Sequence, residues 1–429
     1  MTTAAPATTP VDLVHDLDRL VALHTDWREH GTVNLNAATN SLSPAARAAL
    51  STVLADKGIS SGLRSRHHQG GEYIDAIEDA IERQTVRLFH AGAADLRPPS
   101  GSIANALAVA SLLPSGRAIL VGDENALGHL SLREEGWSGR MSRRVESVPY
   151  GENGVDVDLD ALERTVDAVE PGMIVVGTQT MMFPVPLTDI RRIADRVGAL
   201  VVYDAAHPLG LIAGGCFQDP LGEGADVVTA STQKTMPGPV GGVILTRDAA
   251  TMRPVYEASN RLLSNYQNNR VLALGYTVAE MAEFGREYAQ ACVANARFLA
   301  AELAARGLEP LFAERGFTVS NLFLLPWPGK DAADAFASRC EQAQLIVSTT
   351  RLPGAPGSAP RWGSRIGVQD LTRRGYGAGE LTELAGLIAR IAAGAETDSV
   401  SARMTELARA FDTTYYCFEN GLPPRPSGV

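Results

Sequence analysis

Leu200-Val201-Val202-Tyr203-Asp204, and after it Val227-Val228 leading into Ser231-Thr232-Gln233-Lys234-Thr235-Met236-Pro237-Gly238-Pro239, carry the decision about the fold. Each begins as a short apolar run and stops at a residue able to do chemistry. Runs of this length read as buried strands. Working outward, Ile119-Leu120-Val121, Met173-Ile174-Val175-Val176 and Val243-Ile244-Leu245 have the same character. Between them, Leu159 to Val169 and Ile190 to Val197 carry apolar residues at helical spacing, with Pro171-Gly172 and Gly198 as stops. Strands alternating with helices predict βαβ units, a mainly parallel sheet and an α/β fold. In such sheets ligands sit beyond the carboxyl ends of strands, where both Asp204 and Lys234 fall.

The chain has 429 residues, enough for two or three structural units. A division into an N-terminal tail and arm (1–50), a large domain (51–285) and a smaller α+β domain (286–429) is expected. The last contains a helix through Cys292-Val293-Ala294-Asn295-Ala296-Arg297-Phe298-Leu299 and a strand at Asn321-Leu322-Phe323-Leu324-Leu325. Leu352-Pro353-Gly354-Ala355-Pro356-Gly357-Ser358-Ala359-Pro360 reads as a loop. A net charge of −11 disfavours nucleic acid and anionic membranes as partners, although a small cationic pocket is compatible with it. No run approaches the ~18 apolar residues of a membrane span. Residues 1–10 lack the basic and apolar regions of a signal peptide and read as an unstructured tail. Cys216, Cys292, Cys340 and Cys417 form no CxxC pair, so neither a metal nor a disulfide framework is expected, and a reduced, cytoplasmic protein is the simplest reading.

A lysine before a Gly-Pro pair is, alone, more often a surface charge. With Asp204 at the end of a neighbouring strand, Lys234 instead suggests pyridoxal phosphate. That cofactor needs an amine freed of its proton to form a Schiff base, and a carboxylate facing the pyridine nitrogen. Arg97-Pro98-Pro99-Ser100-Gly101-Ser102 then opens a helical Ile103-Ala104-Asn105-Ala106-Leu107-Ala108-Val109, and free N–H groups at such a helix start suit a phosphate.

With Ala205-Ala206-His207 and Gly238-Pro239-Val240-Gly241-Gly242 in the same order, the chain resembles, from about residue 34 to about 390, the serine hydroxymethyltransferase family of fold-type I pyridoxal phosphate enzymes. The resemblance implies an aspartate-aminotransferase-like fold and a homodimer with shared active sites acting on a small amino-acid substrate. It makes Lys234 the Schiff-base lysine, Asp204 the partner of the pyridine nitrogen and His129 the imidazole stacked on the ring. It sets His207 and Gln179 near the phenolic oxygen, and Ser100, Gly101, Ser102 and Ser231 around the phosphate. Arg365, in Ser364-Arg365-Ile366-Gly367-Val368, matches the arginine for the substrate carboxylate. Gly224-Ala225-Asp226-Val227-Val228, Phe284-Gly285-Arg286-Glu287-Tyr288 and the run from Gly367 to Gly375 are similar to the threonine-transaldolase-like branch.

The departures bear on the reaction. Aligned on Gly71-Glu72-Tyr73, the family's catalytic glutamate falls at Ser60 and its two tyrosines at Gly58 and His68. The family's Ser-Glu-Asn turn reads Ala38-Thr39-Asn40, the histidine before the lysine is Gln233, Val240 replaces an arginine, and a folate-binding asparagine corresponds to Thr350. Folate-assisted chemistry loses its main actor. The expectation is therefore a folate-independent lyase or transferase of specialised metabolism, working through an α-carbanion. β-Elimination or decarboxylation of a bulky conjugate, a sulfur-linked one included, is favoured. Threonine aldolase or transaldolase chemistry is the alternative, with His68 or His207 as base, and a non-catalytic cofactor-binding paralogue is the third reading. The segment holding His67 and His68 is expected to cross into the partner's site, where His68 touches substrate. Ser264-Asn265-Tyr266-Gln267 replaces the glycine-rich stretch that meets the partner's phosphate in the family.

Overall fold

In the computed structural model, residues 9–62, 65–141, 143–395 and 397–424 are described. Of the expected tail, residues 1–8 lie outside them, as do Leu63 and Arg64 of the His67-His68 segment. Thr9 and Pro10 are not tail: Thr9 caps the helix Pro10–Thr25, its side chain accepting from the Asp12 amide. That helix buries none of its residues. Its Val11, Leu13, Val14, Leu17, Leu20, Val21 and Leu23 all remain exposed.

Strand β1 (Val33–Asn34) belongs to a small pair described below. The next seven strands, β2 (Ala93–Asp95), β3 (Ile119–Gly122), β4 (Val145–Val148), β5 (Met173–Val176), β6 (Leu200–Asp204), β7 (Val227–Ser231) and β8 (Gly242–Thr246), form one sheet in the order β2-β8-β7-β6-β5-β3-β4. From β7 through β6, β5 and β3 to β4 every pairing is parallel, while β8 runs antiparallel to both of its neighbours. The expected central strands are present, and the helix Leu159–Val169 has the bounds its periodicity gives.

Alternation along β5 makes three layers. Met173 and Val175 pack into the cluster built with Ala104, Leu107 and Ala108 of helix Gly101–Leu112. Ile174 and Val176 pack on the opposite face with Leu162, Ile190 and Leu274. Covering both faces of a parallel sheet with helices is what allows its strands to be apolar throughout.

The long helix Asn268–Ala304 joins this body to a second core. Its Val271 to Cys292 portion packs against the large sheet, and Ala296, Leu299, Ala300 and Leu303 enter the second cluster. The expected division at 285/286 thus falls inside one helix. Around the second core lie β9 (Leu322–Trp327), β10 (Leu345–Ile346), β11 (Ser348–Leu352) and β12 (Arg361–Gly367). The strands β11-β12-β9 make an antiparallel sheet, and β1 pairs in parallel with β10, bringing Val33 and Leu35 into the C-terminal core. Residues 353–360 form the connection between β11 and β12, as their loop composition predicts.

Candidate active site

Asp204 ends β6 at the carboxyl edge of the sheet and is buried. Its Oδ1 accepts from the Ala206 amide at 3.0 Å and its Oδ2 from Asn105 Nδ2 at 3.0 Å. Asn105 is held in turn by Thr229, whose hydroxyl donates to Asn105 Oδ1 at 2.5 Å. A carboxylate fixed by two donors keeps one orientation and stays available to a cationic partner. Gly177, just beyond β5, makes this approach possible: its φ is +126° and a Cβ there would overlap the Asp204 carbonyl oxygen.

Lys234 follows β7 and is also buried. Its backbone is tied down from two sides, since Asn40 Nδ2 donates to the Lys234 carbonyl at 2.6 Å and Thr235 Oγ1 accepts from the Gly210 amide at 2.9 Å. Lys234 Nζ lies 3.2 Å from His207 Nε2. Burial pulls the amine down to about 8, with Arg365 adding to the effect and the carboxylate of Asp204 opposing it. Burial also drives His207 well below the ordinary histidine value, helped by the positive charges of Lys234 and Arg365. His207 is therefore neutral. With Nε2 facing two cationic donors, its proton sits on Nδ1, which is buried without a partner among the described residues.

Arg365 reaches the same point from β12, in the other core. Its Nη1 donates to the Gln179 carbonyl at 3.0 Å and lies 3.4 Å from His207 Nε2. Its Nε is buried with no acceptor, and burial lowers the guanidinium to about 10. Among the described residues, none of Lys234, His207 and Arg365 has a carboxylate within ion-pair distance. An arginine held this way lacks an anion, and a substrate carboxylate is its natural complement.

His129 lies on the connection after β3. Its Nδ1 accepts from the Ser131 amide at 3.2 Å and sits 2.7 Å from Ser131 Oγ. Burial lowers its pKa despite the attraction of Asp204, so its neutral form carries the proton on Nε2. Across the site Ser100 caps the helix Gly101–Leu112, its Oγ accepting from the Ile103 amide at 3.2 Å. The first-turn N–H groups of Gly101 and Ser102 have no partner within the helix. A Cβ on Gly101 would overlap Ser231 Oγ, so the lack of a side chain there lets the helix start and the end of β7 meet.

The structure brings together Lys234, His207, Arg365 and Gln179, connects Asp204 to Ser131 and His129 through Asn105, and sets Ser100 to Ser102 beside Ser231. Gln179 meets Arg365 with its carbonyl. His68 is exposed in the single chain, its Nδ1 2.7 Å from Ser60 Oγ. Within Ser264–Gln267, Tyr266 donates to Glu78, and the Ser264 carbonyl accepts from the Ser61 amide. Asn105, Asn40, Ser131 and Thr235 support the site without standing among the expected residues. Asn105 had a legible signal, as a carboxamide inside the otherwise apolar stretch from Ile103 to Val109. Asn40 had another, as the asparagine that Ala38-Thr39-Asn40 shares with the family's Ser-Glu-Asn turn, while Ser131 and Thr235 have none.

The donor set fits pyridoxal phosphate: a buried, activated amine, a fixed carboxylate, a cradle that a Cβ at Gly101 would fill, and two orphaned buried atoms, His207 Nδ1 and Arg365 Nε. The sequence pattern described as Serine hydroxymethyltransferase matches residues 16–388. A serine hydroxymethyltransferase of Pyrobaculum islandicum is 35% identical over 415 residues, covering 96% of each chain. One from Thermoplasma volcanium is 38% identical over 392 residues, or 90% of this chain and 92% of that one. The crystal structure of an L-threonine transaldolase from Pseudomonas fluorescens superposes with a TM-score of 0.86 at 24% identity, over 95% of this chain and 94% of that chain, which is a likeness of fold.

Proposed function

The chain belongs to the serine hydroxymethyltransferase family of pyridoxal phosphate enzymes, and from that premise we propose that it acts without folate at the α-carbon of an L-amino acid, with β-elimination from a bulky conjugate as its reaction. When bound, the cofactor draws electrons from the α-carbon of an attached amino acid into its ring. Asp204 would supply the negative charge that keeps the ring nitrogen protonated, its carboxylate held in one orientation by Asn105 Nδ2 and the Ala206 amide. Arg365 binds the α-carboxylate. Lys234 Nζ, with an amine near pKa 8, takes the proton from the α-carbon and carries it away. His207, neutral and 3.2 Å from Nζ, accepts a hydrogen bond from the amine.

One observation carries this reading: beside the amine stand an arginine and a neutral histidine, with no carboxylate in ion-pair range of any of the three among the described residues. The glutamate position of the family is Ser60, occupied with His68. Among the described residues of one chain no carboxylate base for a substrate hydroxyl stands beside Lys234, whereas expelling a thiolate from the β-carbon needs none. Elimination also stands ahead of decarboxylation, because the contact to Arg365 stabilises the charge that loss of CO2 would destroy.

The second reading is aldol or transaldolase chemistry with His207 Nε2 taking the hydroxyl proton, favoured by the stretches similar to the transaldolase-like branch. Incubating the holoenzyme with threonine, serine and S-substituted cysteines, and assaying acetaldehyde, pyruvate, thiol and CO2, separates the two. Acetaldehyde from threonine without pyruvate from the cysteine conjugates overturns the preferred order.

We also propose a cytoplasmic homodimer with shared sites, supported by the uncovered apolar residues of helix Pro10–Thr25. In that dimer His68 touches substrate in the partner's site. An unchanged turnover and affinity in His68→Ala would remove the role of His68.

A further inference from the structure

A cleft of about 690 Å3 has Ser102, His129 and Gln179 of the candidate cofactor residues at its inner end, which the cofactor would fill, and opens outward past Leu130, Arg133 and Trp137. Because the Gln179 carbonyl is bonded to Arg365, a substrate whose carboxylate sits on Arg365 has this cleft beside it, with its side chain as the part that extends inside. Large apolar surface lines the cleft and remains open: Leu130 is 52% exposed and Trp137 41%. Such surface suits a bulky side chain with an apolar body.

The charged groups of the lining are Arg133, Arg140 and Glu135, a positive balance in a chain of net charge −11. Arg133 is half-buried and its Nε is buried without an acceptor. Among the described residues its guanidinium makes no hydrogen bond and no ion pair, and Arg140 has no ion pair either. Glu124, ion-paired with Arg351, also feels the positive charge of Arg133 but lies beyond ion-pair and hydrogen-bond distance of it, so that the Arg133 fork is left without an acceptor. A guanidinium partly withdrawn from water without an acceptor is unfavourable unless an anion completes it, and its planar fork matches a carboxylate.

We propose that this cleft holds the substrate side chain, that this side chain is a bulky, partly apolar group ending in a carboxylate, and that Arg133 is the residue that selects it. The proposal rests on the reading of the site as one for an amino-acid substrate held by Arg365, and does not depend on which bond is then broken.

The test compares S-benzyl-L-cysteine with S-(4-carboxybenzyl)-L-cysteine on the holoenzyme, with dissociation constants from the change in cofactor absorbance and thiol and pyruvate assayed separately. A hydrogen-bonded charge pair should favour the carboxylated ligand by about 10- to 100-fold. Arg133→Met should bring that ratio towards one, and Arg133→Lys should keep part of it. If Arg133→Met fails to fold, as judged by thermal unfolding, the wild-type ratio and the lysine variant decide. A wild-type ratio at or below one, no binding of either ligand, or a ratio that survives in Arg133→Met overturns the proposal. The expected ratio without release of thiol or pyruvate leaves the proposal standing and removes the elimination reading; release of both products without a ratio does the reverse.

Discussion

Lys234 should titrate as an amine of pKa about 8 instead of the ordinary 10.5, because it is buried beside Arg365 and only partly compensated by Asp204. At pH 7 an amine of pKa about 8 is roughly 10% free base, against roughly 0.03% for an ordinary lysine, a gain of about 300-fold in reactive species. The assay is reductive methylation of the apoprotein with formaldehyde and cyanoborohydride across pH 6 to 11, read site by site by mass spectrometry, with the exposed Lys57 as reference. The midpoint of the profile carries the prediction, since burial also slows reagent entry and lowers the amplitude. Asp204→Asn removes the carboxylate that raises the value, so its midpoint should fall below 8; Arg365→Met removes the opposing charge, so its midpoint should rise. A wild-type midpoint near 10.5, or variant shifts of the opposite sign, would refute the reasoning.

Stability follows from the same shift. The folded value lies below the unfolded one, so between about pH 8 and 10.5 the unfolded chain binds more protons than the folded chain. The contribution of Lys234 is therefore unfavourable below that window and is relieved as pH rises through it, by about 3 kcal/mol in all. Denaturant unfolding of the apoprotein should show this rise, and Lys234→Met should flatten it.

Three further outcomes are expected. Asn105→Leu removes the donor to Asp204 and the acceptor of Thr229, and should cost about 1–3 kcal/mol in denaturant unfolding while weakening cofactor retention on gel filtration. Gly177→Ala forces a side chain onto a φ of +126° against the Asp204 carbonyl and should destabilise by more than about 1 kcal/mol; an unchanged midpoint would mean the strand ends can separate freely. Arg373→Met strands Glu280 in a pair whose side chains are 0% and 1% exposed, at a cost of about 3–5 kcal/mol. Adding Glu280→Leu should recover only part of that, because the carbonyls of Ser41 and Tyr416 also lose their donor.

Legibility followed burial. The central strands β3, β5, β6 and β7 are covered on both faces and are apolar along most of their length, so they stand out in the sequence. The two edges do not: β2 is the three-residue Ala93–Asp95, and β4 is half-polar, with Glu146 half-buried and Ser147 exposed. The edge strand β11 escaped for the same reason, with Thr349, Thr350 and Arg351 in it, whereas β12, central in its sheet, escaped because Arg361, Ser364 and the site residue Arg365 interrupt its apolar pattern. The first turns of Asn268–Ala304 gave no sign that one helix would serve two cores.

The sequence by itself determined the α/β alternation, the placement of Asp204 and Lys234 at the carboxyl ends of neighbouring strands, and the helix start at Ser100, because strand and helix periodicities and turn chemistry are local properties of the chain. Only the tertiary structure decided that Lys234 is activated, that His207 is neutral, and that Arg365 and Arg133 have no carboxylate in ion-pair range among the described residues. Those states depend on desolvation and on charges brought close from distant parts of the chain, and neither quantity exists until the two cores have packed.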